Sequence, residues 1–188
     1  RSILVASNLL PAFRSQALGL PAETFYAPTT SVVDPEAIHL ARTPLLTAMA
    51  MELKEDWRAV MEQFANPMKD FYNSEDAGRR SLKNLCLEYL ARSGDTKLDH
   101  GCFSSATNMT DEIAAFTALV NTEGPESTDA INKFYQKWKH EPNVINKWFA
   151  IQAIKPSPAA LSRVRELVND PIYDSSNPNK VYSLQIAF

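Results

Sequence analysis

The side chains that could do chemistry are few: His39, His100 and His140, the thiols of Cys86 and Cys102, and the carboxylate pairs Glu55-Asp56, Glu75-Asp76 and Asp111-Glu112. A helical zinc-hydrolase site needs two histidines four apart with a glutamate after the first. That spacing lets both imidazoles reach one ion while the carboxylate activates water. Only His140 is followed by a glutamate, Glu141, but Pro142 breaks the helix there and Val144 stands where the second histidine belongs. His100 and Cys102 offer two soft donors where a site takes three or four. No Gly-x-Ser-x-Gly elbow, phosphate loop or glycine-rich dinucleotide fingerprint occurs. The carboxylate pairs fall in polar helix turns or at helix starts, where the helix dipole accounts for them. The expectation is therefore no catalytic residue, no metal ligand and no cofactor site within these residues.

Asn108-Met109-Thr110 fits an N-glycosylation acceptor, yet Asn108 also stands where a helix cap would accept from the amide of Asp111. Capping is the preferred reading.

Nineteen basic against 22 acidic side chains leave a slightly negative chain of 188 residues. With no long basic block to neutralise phosphates, nucleic acid is not expected as a partner. No run reaches the roughly 18 apolar residues of a membrane span, so no membrane partner is expected either. A soluble protein, cytoplasmic by preference, follows, and two cysteines without regular spacing read as free thiols.

These side chains must be positioned by helices, because the glycines are few and strand-like alternation is scarce. Asp34-Pro35-Glu36 starts one helix with a capping carboxylate, a proline at the first position and an acid in the first turn. Ile38, Leu45, Leu46, Met49, Leu53, Trp57, Val60 and Phe64 follow at helical spacing, and Pro44 is expected to divide or kink the stretch. Ser74-Glu75-Asp76 starts another, buries Leu82, Leu85, Cys86, Tyr89 and Leu90, and stops at Gly94. The weakly patterned "DTKLDHGCFSSAT" reads as a loop with at most one short turn of helix.

Thereafter the pattern is regular. Asn108, Asn143 and Asn177 lead three helix starts 35 and 34 residues apart, with second helices from Pro125 and Pro158 between them. A period of about 35 with two helices per unit is the signature of an α-solenoid. The expected fold is all-α, a right-handed superhelix of antiparallel helix pairs of the armadillo, HEAT or TPR kind. The single domain 1–188 divides into entry helices and a loop at 1–33, long helices at 34–94, a loop at 95–107 and regular pairs at 108–188. Apolar "VYSLQIAF" at the end and "RSILVASNLL" without a starting methionine suggest a piece of a longer chain, truncated on both sides.

In "NKWFAIQA" (Asn146 to Ala153) two large rings stand side by side. At about 100° per residue, Val144, Ile145, Trp148, Phe149, Ile151 and Ala153 span about 200° of the helix, leaving Asn143, Asn146 and Lys147 the remainder. Such an arc describes a helix packed between neighbours, not a ligand platform. Gln152 falls inside the arc and must find partners, expected to be backbone groups of an adjoining helix or turn.

"LPAETF", "VVDPEAIHLAR", "GRRSLKNLCLEYLA", "NMTDEIAA", "NKWFAIQA" and "NPNKVYSLQIAF" resemble, in order along nearly the whole chain, the C-terminal helical domain of aminopeptidase N, of the gluzincin zinc aminopeptidase family in its bacterial-type branch. The largest departure is around "DTKLDHGCFSSAT", shorter than in that family, where a family helix is expected to be curtailed. The resemblance implies a parent enzyme that removes N-terminal amino acids from peptides with one catalytic zinc held in an earlier domain. Partners would be that catalytic domain and short peptides in the chamber it encloses, with this domain closing over it. Asp34, Asn108, Asp111, Asn143, Trp148, Gln152 and Asn177 are then structural residues. The alternative is a stand-alone helical-repeat scaffold that binds protein partners. Full polar capping repeats would be expected of a scaffold, which the apolar "VYSLQIAF" does not supply.

Overall fold

A computed structural model describes residues 1–64 and 73–188, apart from the side chains of 96–99. The described residues form helices α1 (Ser2–Val5), α2 (Pro11–Leu18), α3 (Glu23–Tyr26), α4 (Pro35–Glu52), α5 (Lys54–Glu62), α6 (Ser74–Arg92), α7 (Thr96–Ser105), α8 (Met109–Val120), α9 (Pro125–Trp138), α10 (Pro142–Ala153), α11 (Ala160–Val168) and α12 (Pro178–Val181). Among them no strand occurs, so the architecture is all-α and solenoid-like. From α6 onward, α6 packs on α8, α7 on α8, α8 on α9, α9 on α10 and α10 on α11, each helix burying its apolar stripe against the next.

Local chemistry sets most helix starts. Asp34 accepts from the amide of Ala37 (2.9 Å), with Pro35 at the first position. Asn73 accepts from the amides of Glu75 and Asp76 and caps α6, which starts at Ser74 as expected from sequence. Gly94 follows Ser93 with φ +87°, the left-handed conformation that glycine adopts without strain. Asn177 accepts from Asn179 (3.0 Å) and begins α12, which widens into a π-helical turn over Tyr182–Ile186.

Three expectations change. Segment 95–107 is not a loop: α7 occupies Thr96–Ser105, with Cys102 and Phe103 half-buried against the core while Gly101, Ser104 and Ser105 face water. Packing on α8, rather than intrinsic propensity, holds that helix. Pro44 does not divide α4, because it sits on an exposed face; the break falls at Leu53, where φ is −109° and ψ 19°. Asn143 is not a cap. α10 begins two residues earlier than an Asn143 cap would set it, at Pro142, where the Glu141 carbonyl receives the amides of Val144 and Ile145 (both 3.0 Å), and Asn143 lies exposed in the first turn.

The core has two lobes. The first gathers Leu46, Trp57, Val60, Leu82, Cys86, Tyr89 and Leu90, with the Trp57 ring stacked on Tyr89 at 4.3 Å and its N–H donating to the Met49 carbonyl (2.9 Å). The second gathers Phe116, Leu119, Phe134, Ile145, Trp148, Phe149, Val164 and Leu184. Helix α8 belongs to both, sending Ala115 and Ala118 to the first and Phe116, Leu119 and Val120 to the second. That shared helix couples the long helices to the regular pairs.

Candidate functional site

Buried polar groups sit where the helix pairs of the second lobe meet. The first junction is at the start of α8. Asn108 accepts from the Asp111 amide (3.0 Å) and donates back to the Asp111 carboxylate (3.1 Å), so the capping reading of Asn108 holds. Asp111 also receives Lys83 and Asn84 of α6, tying that cap to the preceding helix. Glu112 beside it is buried and accepts from Lys137 Nζ (3.0 and 2.9 Å) and from the Trp138 indole N–H (2.9 Å), both on α9. Lys137 in turn lies 4.9 Å from the Trp138 ring centre. Helix dipole alone therefore does not account for Asp111-Glu112, which bridges helices. A signal was present in sequence, since Glu112 stands on the stripe of Ala115, Phe116 and Leu119 at helical spacing.

The second junction is built on Gln152. Trp148 and Phe149 point to two neighbours, as the wide apolar arc requires. The Trp148 indole donates to the Ile131 carbonyl (3.1 Å) and packs on Tyr135, while Phe149 meets Tyr173 edge to face. Gln152, 2% exposed, donates to the Trp148 carbonyl (2.9 Å) within its own helix. Its oxygen accepts not from an adjoining backbone, as expected, but from Nε (3.1 Å) and Nη2 (2.6 Å) of Arg163 on α11. Arg163 shares the α11 face of Ala160, Val164 and Leu167 by spacing, which is the sequence signal for its inward turn.

Beside Gln152 a cleft of about 450 Å³ opens between the turn after α8, the first half of α9 and the segment joining α10 to α11. Lys155 and Arg163 face it, and Glu123 is the one acid among its lining residues. Lys155 Nζ donates to the Thr122 carbonyl (2.9 Å) and lies 3.4 Å from the Glu123 carboxylate.

The remaining reactive groups are occupied elsewhere. His39 meets Glu23 at 2.8 Å and His100 lies 3.6 Å from Asp129, far apart in the chain. Burial pushes the Cys86 thiol up to about 12, partly offset by the Arg14 guanidinium, so it is no nucleophile near neutrality. Burial likewise lifts Tyr89 to about 12. Arg14 is itself buried with a lowered pKa from desolvation, and Nη2 donates to the Leu4 carbonyl. Desolvation also lowers Lys180, which lies over the Phe149 ring. Among the described residues no group of three or more His, Cys, Asp or Glu could hold a metal ion, so the donor set does not fit a zinc site. Among them, too, no helix is long and apolar enough to cross a membrane.

Stacked helix pairs joined by buried polar bridges define an ARM-repeat type of domain, and residues 1–188 match the domain of unknown function DUF3458_C, described as ARM repeats. The chain belongs to that family. It is 35% identical to the aminopeptidase N of Caulobacter vibrioides over 98% of this chain and 22% of that protein. It is 33% identical to the aminopeptidase N of Escherichia coli over 100% of this chain and 22% of that one. The Legionella pneumophila aminopeptidase A, solved in complex with aspartic acid, superposes with a TM-score of 0.86 at 28% identity, over 100% of this chain and 23% of that one. The chain thus spans about a fifth of the length of the curated relatives it matches, corresponding to a C-terminal portion of them.

Proposed function

We propose that this chain is the non-catalytic C-terminal domain of a zinc aminopeptidase that removes N-terminal amino acids from peptides, and that it closes over the catalytic domain and bounds the substrate chamber. The observation that carries the reading is end-to-end similarity to aminopeptidase N relatives at 33 to 35% identity, confined to about a fifth of their length. A stack of helix pairs suits the task, because it offers a broad wall without reactive groups of its own. Exposed apolar side chains such as Leu10, Phe13, Phe25 and Leu40 are available to such a partner. Short peptides would be the chamber's contents.

The test is the gene and its product. A His-Glu-x-x-His helix should be encoded several hundred residues ahead of Arg1, and the full chain should release amino acids from aminoacyl reporters in a zinc-dependent way. Residues 1–188 alone should not. A reading frame beginning near Arg1 without that motif, or zinc-dependent turnover by residues 1–188 alone, would overturn the assignment and, in the first case, favour a stand-alone scaffold.

A further inference from the structure

The cleft beside Gln152 carries a pair of cations on a prepared frame. Its volume of about 450 Å³ lies in the range of small-molecule sites. Arg163 is held by two bonds to the buried Gln152 oxygen, which fixes the guanidinium plane before any ligand arrives. Its Nη1 donates to Glu166 (2.9 Å), and the outer N–H groups of both terminal nitrogens remain for a ligand. Lys155 is similarly held by Thr122 and keeps further donors.

The two competing acids are weak occupants. Glu123 is 86% exposed and Glu166 67%, and such pairs add little stability, so a desolvated anion inside the cleft displaces them readily. Ile131 supplies an apolar floor, and the Asn132 side chain offers an amide. The space is larger than a bare anion needs.

We propose that this cleft binds a carboxylate borne on a short apolar body, its oxygens set between Lys155 and Arg163. Two sources share that chemistry: the end of a peptide chain and a free small carboxylic acid. All the lining residues named for the cleft belong to this chain.

The experiment is calorimetric titration of the native full-length protein with N-acetyl-leucine, N-acetyl-alanyl-leucine and N-acetyl-leucinamide, with inorganic phosphate as competitor. Saturable binding of the acids, at least about tenfold tighter than of the amide, is expected. A tighter dipeptide identifies a peptide end, and equal acids identify a free carboxylate. Lys155→Met should weaken binding about tenfold, whereas Glu123→Gln, at an exposed position that does not threaten folding, should tighten it about threefold. The proposal fails if acid and amide bind alike, if no acid binds, if phosphate competes as strongly as the acids, or if neither variant shifts the affinity.

Discussion

Replacing Lys137 should cost the fold more than replacing the residue it pairs with. Glu112 is 4% exposed, and both its oxygens accept from Lys137, with Trp138 adding a third bond. The Lys137 side chain is 54% exposed. Glu112→Gln leaves an ammonium that water can solvate and keeps an oxygen for the indole, so it loses only a half-exposed pair, about 1 kcal/mol. Lys137→Met leaves a carboxylate inside the α8–α9 junction with one neutral donor. Stripping a partner from a buried charge costs about 3 to 5 kcal/mol, and some water can reach this site, which places the loss near about 3 kcal/mol. In the double variant the buried group is neutral, so its cost should fall below that of Lys137→Met alone. Thermal denaturation followed by circular dichroism and tryptophan fluorescence measures all three. For a domain this size about 1 kcal/mol moves the midpoint by about 2 to 4 °C, so the difference is readable. Equal losses for the two single variants, or no rescue in the double, would refute the assignment of the burial penalty to Glu112.

Stability should fall as pH climbs above about 9. Cys86 and Tyr89 ionise near about 12 when folded, against ordinary values of 9.0 and 10.0, so the unfolded chain loses these protons first and is favoured increasingly through that window. Cys86→Ala should flatten the early part of the alkaline decline seen in denaturation midpoints. Gly78→Ala should destabilise by about 1 to 3 kcal/mol in the same assay despite alanine's better helix propensity, because the new Cβ would meet the Ala12 Cβ at 3.0 Å and its backbone nitrogen at 3.1 Å. Asn108→Ala should cost about 1 kcal/mol and Asn143→Ala less than about 0.5, since only Asn108 accepts from a helix amide. Equal costs would mean that both act as caps.

By itself the sequence determined whatever depends on residues three or four apart. Apolar spacing dictates the helices, Asp34, Asn108 and Asn177 dictate three of their starts, and the wide arc of α10 dictates its burial between neighbours. Its period of about 35 carried the solenoid and, through longer resemblance, the family. Tertiary structure alone decided the rest. Helix α7 exists because α8 covers Cys102 and Phe103, a gain no local window contains. Asn143 lost its capping role because the helix starts two residues earlier, with Glu141 in the cap position. Gln152 was legible as a buried amide, but its partner Arg163 is 11 residues away on the next helix, and Glu112 finds Lys137 at 25. A buried polar group announces its need for a partner through its place in an apolar stripe, whereas which donor answers is settled only when two helices dock.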